Sequence, residues 1–217
     1  MTIGGVQRSS LSDFPGLPSA IVFTRGCNFR CPWCHNAQLL EDGENIPEAE
    51  VLQFLESRRG KLLGVVITGG EPTVQPDLDA FLGKCRDLGF RTKLDTNGGR
   101  PNVLKTLLDG NLLDYCAIDL KLPIRRYSEI TDVDGKRVLE SIELVKRAGI
   151  THEVRTTVPS DMTLSDLFEI VSECPSVEQY HLQPCIEAGA EHTAGPDLAR
   201  MAEGLRVICP NVKVRGA

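Results

Sequence analysis

A parallel α/β fold, wrapped into a partial (β/α)6 TIM-type barrel, is the fold class this sequence predicts. Short apolar runs alternate with helical stretches along the whole chain. That alternation builds βαβ units on a parallel sheet. Six such units suit either an open doubly wound sheet or an incomplete barrel. The polar residues favour the barrel. Thr68-Gly69-Gly70-Glu71, Asp95-Thr96-Asn97-Gly98, Asp119-Leu120-Lys121 and Gln183 all fall at strand C-terminal ends, and a three-cysteine loop follows the first strand. In a barrel these ends ring one mouth, where active sites form.

The elements follow in order. Residues 20–24 (AIVFT) read as the first strand, and 47–59 as a helix with Val51, Leu52 and Leu55 on its apolar face. Residues 64–68 (GVVIT) form a second strand, 76–87 a helix and 91–95 a third strand. A helix over 101–108 opens with proline in its first turn, and 115–119 is the fourth strand. The helix over 136–148 is stopped by Gly149. A fifth strand covers 152–158, a helix 164–172 and a sixth strand 179–183. A helix over 196–207 and a short strand at 212–214 close the chain. No repeat or linker interrupts this, so residues 1–217 are expected to form a single domain.

Composition sets bounds. The 217 residues are 41% hydrophobic and 5% aromatic, with a net charge of −6, a balance that argues against tight nucleic-acid binding. No apolar stretch of about 18 residues predicts a transmembrane helix, and the first ten residues lack the apolar core of a signal peptide. Eight cysteines without an export signal suggest a reducing cytoplasm. Five of them, Cys85, Cys116, Cys174, Cys185 and Cys209, lie far apart and read as buried small hydrophobes.

The other three are the most informative feature. Cys27, Cys31 and Cys34 are spaced C-x3-C-x2-C. A closed structural zinc site usually takes four ligands, which His35 could complete. Three thiolates can instead hold three irons of a cubane cluster and leave the fourth open to an exogenous ligand. Gly69-Gly70-Glu71-Pro72 follows an apolar strand. Its glycines let backbone approach a ligand, and its carboxylate could receive an ammonium group. By itself a tight turn before a helix would look the same. Asp119 and Lys121, two apart on an extended chain, face the same way, as a ligand-binding pair or as a plain salt bridge. Arg155 shares a face with Glu153 and Thr157. An inward arginine suits a carboxylate, either the cofactor's or that of Glu153.

The cysteine spacing, with Trp33 before the third cysteine, resembles the radical S-adenosylmethionine superfamily. Ser12-Asp13-Phe14-Pro15-Gly16, Cys34-His35-Asn36, the G-G-E-P turn, Asp95-Thr96-Asn97-Gly98, Asp119-Leu120-Lys121 and Arg155-Thr156-Thr157 then follow in order. Together they resemble the glycyl-radical-enzyme activating proteins, most of all those of anaerobic ribonucleoside-triphosphate reductase, with pyruvate formate-lyase activators as nearby relatives.

The resemblance implies an oxidoreductase holding a [4Fe-4S] cluster on Cys27, Cys31 and Cys34, with S-adenosylmethionine chelating the open iron. Trp33 and His35 would flank the adenine, and Gly69, Gly70 and Glu71 would meet the methionyl amino group. Asp119, Lys121 and Arg155 would contact the methionyl end or ribose. Asp95, Thr96 and Asn97 would lie near the cofactor carboxylate, Asp95 with Thr96 as part of a monovalent cation site. Asp13, Lys121 and Arg155 are the catalytic candidates, Asp13 near the entering target. An electron from a flavodoxin or ferredoxin would drive cleavage to a 5′-deoxyadenosyl radical, which takes hydrogen from a glycine Cα of a partner glycyl radical enzyme.

Two departures stand out. The pyruvate formate-lyase activators carry a ribose-binding histidine two residues after a proline; here the proline is Pro184 and the histidine's place holds Ile186. Gln183, which shares a strand face with His181, is the candidate replacement. The short C-terminus adds no further cysteine cluster, unlike the larger peptide-modifying members. Two rivals stay open: a superfamily enzyme acting on a small molecule such as a nucleoside precursor, and a non-catalytic zinc or iron–sulfur module.

Overall fold

The computed structural model describes residues 1–174, 177–185 and 197–215. One eight-stranded sheet runs through them, its strands side by side in chain order: β1 (Ile3–Ser10), β2 (Ser19–Thr24), β3 (Gly64–Gly69), β4 (Arg91–Thr96), β5 (Tyr115–Asp119), β6 (Thr151–Val158), β7 (Tyr180–Pro184) and β8 (Val212–Val214). Strands β2 to β8 are parallel, and β1 alone runs antiparallel, against β2. Among the described residues β8 does not pair with β1, so the barrel stays open along one seam.

The helices α1 (Glu48–Ser57), α2 (Leu78–Asp87), α3 (Pro101–Asp109), α4 (Lys136–Ala148), α5 (Leu164–Glu173) and α6 (Leu198–Leu205) cover the outer face. Each offers an apolar stripe at helical spacing: Leu78, Phe81, Leu82 and Cys85 on α2, and Val138, Ile142 and Val145 on α4, are buried. α4 ends where Gly149 turns left-handed at φ +68°. α5 starts with a reciprocal cap between Thr163 and Asp166. No helix among the described residues is long and apolar enough to cross a membrane.

The sheet's two faces differ. Its outer face packs on the helices through one continuous core, whereas its inner face is apolar only near the N-terminal ends of the strands. There Phe14, from the β1–β2 connection, packs edge-on against Tyr115 at 5.9 Å, with Ile21, Val66 and Ala117 around them. A Cβ on Gly64 would come within 2.7 Å of the Phe14 ring, so glycine there lets the ring close the floor. The opposite, C-terminal mouth is left open.

The six expected strands are present, and the short seventh is β8. β1 was not anticipated. The expected helix starts at 47 and 76 shift to Glu48 and Leu78. The helix expected from 196 begins at Leu198; residue 196 is outside the described residues. Cys85, Cys116, Cys174 and Cys209 are buried as expected, while Cys185 is half-buried. Burial pushes the Cys85 and Cys174 thiols up to about 12, which suits inert packing groups.

Candidate active site

A cavity of about 400 Å³ opens at the C-terminal mouth, within the range of small-molecule sites. Cys27, Cys31 and Cys34 line it together with Trp33, His35, the β3 turn, Asp95, Asp119, Lys121, Arg155 and Gln183. Sequence-distant groups therefore meet here because each lies in the C-terminal half of a strand of the same parallel sheet or on the segment that follows one.

The cysteine loop leaves β2 through Gly26, at φ +80°. It is pinned from three sides. Glu71 N donates to Gly26 O at 2.8 Å and Asn36 Nδ2 to Gly69 O at 3.2 Å, tying it to the β3 turn. Asn97 Nδ2 donates to Asn28 Oδ1 at 2.9 Å, tying it to the β4 turn. Arg30 N donates to Ile130 O at 2.7 Å, and Thr131 Oγ1 to Asn28 O at 3.0 Å, tying it to the segment after β5. Cys27 Sγ receives the backbone N–H of Phe29 at 3.3 Å and Asn97 Nδ2 at 3.8 Å. Burial pushes the Cys27 thiol up to about 11, against the Phe29 N–H, and burial also raises Cys31. Loading a metal must therefore displace protons.

Gly69 and Gly70 form the tightest backbone approach in the site. Gly69 sits at φ +115°, and a Cβ there would lie 2.4 Å from Thr24 N; a Cβ on Gly70 would lie 2.1 Å from Gly26 O. Glycine is required at both. Glu71 differs from expectation. It is 1% exposed, and its carboxylate already accepts four hydrogen bonds. Oε1 takes Thr73 N (3.0 Å), Thr73 Oγ1 (2.5 Å) and Thr96 Oγ1 (2.6 Å), and Oε2 takes Asn97 N (2.7 Å). Burial raises its pKa against those donors. Glu71 thus clamps the β3 turn to the end of β4, with Gly69 and Gly70 lining the cavity.

An alternating chain of charges crosses the mouth. Lys93 Nζ meets Asp95 Oδ1 at 2.5 Å, and Arg155 Nη1 meets Asp95 Oδ2 at 2.8 Å. Arg155 Nε meets Asp119 Oδ1 at 2.8 Å, and Lys121 Nζ meets Asp119 Oδ2 at 3.2 Å. Glu153 is 3.8 Å from Arg155, so within the protein its main partners are the two aspartates and not Glu153. Burial alone would raise the Asp119 carboxyl, but Arg155 and Lys121 outweigh it and hold it at about 2. Asp95 is likewise lowered by Arg155 and Lys93 against burial. Lys121 stays charged: burial opposes its proton, but Asp119 and Cys31 raise its pKa. Three cations against two anions leave the chain a surplus positive charge, suited to an amino-acid carboxylate or a thiolate-rich cluster.

Other expectations fall differently. Asp13 lies at the opposite end of the barrel. Because β1 is antiparallel, its last residue Ser10 pairs with Ser19 at the start of β2, and Asp13 accepts hydrogen bonds there from Ser10 and Ser12. The Ser12–Gly16 motif thus builds the floor through Phe14, far from any group entering the mouth. The cation site expected at Asp95 and Thr96 meets other partners: both Asp95 oxygens are held by Lys93 and Arg155, and the Thr96 hydroxyl turns to Glu71. Gln183 does line the cavity, donating to Thr157 Oγ1 at 2.8 Å. His181 is buried one layer below, 3.5 Å from Glu153. Residue 186 lies outside the described residues. Sequence reading missed Lys93, although its i, i+2 spacing to Asp95 matches that of Asp119 and Lys121. It also missed Arg215, which grips Glu153 through two bonds of 2.8 and 2.7 Å at the cavity's edge.

The donors fit an iron–sulfur cluster. Each iron of a cubane takes one thiolate, and all three thiols line the one cavity. Among the described residues no three His, Cys, Asp or Glu side chains converge as ligands of a single ion, and His35 is exposed.

Residues 21–174 match the family model described as Radical SAM superfamily. A Methanocaldococcus jannaschii protein named as a glycyl-radical enzyme activating enzyme is 33% identical over 190 residues, covering 83% of this chain and 78% of its own. A 7-carboxy-7-deazaguanine synthase of Thermoplasma acidophilum is 40% identical over 134 residues, 61% of each chain. The pyruvate formate-lyase-activating enzyme of Listeria monocytogenes is 27% identical over 203 residues, 84% of this chain and 80% of its own. Among solved structures, Streptococcus suis SuiB bound to its precursor peptide superposes with a TM-score of 0.72 at 20% identity, over 91% of this chain and 48% of that one. The chain spans about half the length of that structure. AdoMet-bound anSMEcpe gives 0.66 at 18% identity, over 88% and 61%. At these identities the structures speak for the fold, a partial TIM-type barrel.

Proposed function

The chain belongs to the radical SAM superfamily, whose members use a [4Fe-4S] cluster and S-adenosylmethionine, and from that premise we propose that it is an activase that generates a glycyl radical on a partner enzyme. The observation that carries the reading is the convergence of the three spaced thiols, the Gly69–Gly70 backbone and the Asp95–Arg155–Asp119 chain on one cavity. It is supported by 33% identity over most of the chain to a protein named for that activity.

When bound, the cluster and S-adenosylmethionine supply a 5′-deoxyadenosyl radical that can take hydrogen from carbon. The residues do the rest. Cys27, Cys31 and Cys34 hold the cluster on the wall. The Gly69 and Gly70 backbone receives the methionyl ammonium, with Glu71 fixing that turn from behind. Lys121 and Arg155 offer charge to the methionyl carboxylate while Asp119 and Asp95 hold both cations in place. Trp33 and His35 flank the adenine, and Gln183 with Thr157 supplies polar contacts at the ribose. The closed floor leaves the mouth as the entry for a glycine-bearing loop. The protein's contribution is orientation and shielding. The partner we favour is anaerobic ribonucleoside-triphosphate reductase, with a flavodoxin or ferredoxin as electron donor.

A second reading has one observation behind it. The 40% identity to a 7-carboxy-7-deazaguanine synthase, over 61% of each chain, favours action on a small heterocycle. One experiment separates the two. The reconstituted protein is incubated anaerobically with reductant, S-adenosylmethionine and, in separate reactions, the candidate reductase or the precursor of 7-carboxy-7-deazaguanine, and electron paramagnetic resonance and product formation are recorded. A glycyl radical on the reductase supports activation. No radical there, with formation of 7-carboxy-7-deazaguanine from its precursor, would replace the proposal with the second reading.

A further inference from the structure

Lys93 has no place in the function described above, yet it is 1% exposed at the inner face of β4. Burying a lysine is costly unless its charge is paired. Its ammonium lies 2.5 Å from Asp95 Oδ1 and 5.3 Å from the centre of the Tyr115 ring, and it also acts through its charge on Glu153. The Tyr115 hydroxyl in turn donates to Glu153 at 3.0 Å.

With Lys93 in place, each of the four carboxylate oxygens of Asp95 and Asp119 has its own nitrogen cation: Lys93, Arg155, Arg155 and Lys121. A free monovalent cation beside these aspartates would have to share an oxygen with a side-chain cation and meet its like charge. We propose that Lys93 is a tethered cation, a positioning residue that holds Asp95 in the way a bound K⁺ or Na⁺ would, and so makes cofactor binding independent of added monovalent cations. Ammonium and K⁺ are similar in size and charge. Cutting Lys93 back to an uncharged side chain should therefore leave a pocket beside Asp95 that either ion can fill.

The inference rests on the proposed S-adenosylmethionine site, and its test reads binding and stability, not turnover. Reconstituted protein is kept in choline chloride, NaCl, KCl or NH₄Cl at equal ionic strength. The dissociation constant for S-adenosylmethionine and the melting temperature are measured in each. Wild type is expected to give the same values in all four salts. Lys93→Met in choline should bind the cofactor roughly thirtyfold more weakly, the scale of losing one partner of a buried charge pair. KCl or NH₄Cl should restore its affinity and raise its melting temperature, as a ligand of the native state must. Lys93→Arg, which keeps the charge, should stay indifferent to salt identity.

Wild-type affinity or melting temperature that rises specifically with K⁺ or Na⁺ would overturn the inference, and this arm holds even if Lys93→Met fails to fold. A folded Lys93→Met indifferent to cations would overturn it too. Neither result bears on the partner. Conversely, failure to find a glycyl radical on any partner, with a salt-indifferent wild type, would sink the activase reading and leave Lys93 standing.

Discussion

Placing one methyl group on Gly70 should disable the site while leaving the sheet intact. The Cβ of Gly70→Ala would lie 2.1 Å from Gly26 O and 2.8 Å from Gly26 C, backbone atoms that cannot rotate aside. Ordinary contact begins near 3.4 Å, so the two segments must part by about 1.3 Å, and misplacement on the order of 1 Å can cost roughly 10²-fold in rate. The displaced residue directly precedes Cys27, and the Glu71 N–H bond to Gly26 O (2.8 Å) would be lost with it. Overpacking of this kind costs about 1–3 kcal/mol, or roughly 2–12 °C in melting temperature for a chain of this size. The assay is 5′-deoxyadenosine formation under dithionite, with iron content and melting temperature measured alongside. Gly83→Ala is the control. It lies within α2 with nothing inside 4 Å of the new Cβ, so it should gain about 0.5–1 kcal/mol and keep full activity. Gly70→Ala with activity within a few-fold of wild type would refute the reasoning, because it would show that the cysteine loop and β3 turn need not meet this closely.

Three further perturbations address the rest of the site. Arg155→Met leaves the half-buried Asp95 and Asp119 carboxylates with one lysine each, Lys93 and Lys121, and should destabilise by about 3 kcal/mol at pH 7, the lower end for a broken buried pair. Because Asp119 is held at about 2, below its ordinary 3.8, the stabilisation is full above 3.8 and lost as pH falls towards 2; the gap to wild type in urea midpoint should narrow over that range. Glu71→Gln turns an amide N–H₂ against at least one of the donors now accepted, at about 1–3 kcal/mol, and should weaken S-adenosylmethionine binding in calorimetry while iron content is kept. Ser at Cys27, Cys31 or Cys34 should abolish the cluster's visible absorbance, whereas Cys85→Ser should retain it. With the Cys27 thiol at about 11, reconstitution should quicken as pH rises.

Most of the barrel was legible because its strands are apolar runs buried on one face by helices, and their polar ends announce the mouth. β1 escaped because Gly4-Gly5 and the polar stretch from Gln7 to Ser10 break any apolar run; its place comes from pairing with β2 across a hairpin. The grouping of the three cysteines and the shared face of Asp119 and Lys121 were readable from spacing, whereas the Gly-Gly turn stood out from an ordinary tight turn only through the family resemblance. The partners of Glu71 and Arg155 were not. Thr96 and Asn97 reach Glu71 from 25 and 26 residues away, and Asp95 and Asp119 reach Arg155 from 60 and 36. Those distances close only when neighbouring strands align in register. Asp13 was misjudged for a related reason: without the antiparallel β1, its loop could not be assigned to the barrel's floor.

The most direct test of the central claim is anaerobic electron paramagnetic resonance of the dithionite-reduced, reconstituted protein, with and without S-adenosylmethionine. A cluster with one open iron predicts a reduced [4Fe-4S] signal that changes shape on adding the cofactor, with 5′-deoxyadenosine released. A protein that binds no cluster, or one whose signal the cofactor leaves unmoved, would contradict the account and return the three thiols to a zinc or electron-transfer role.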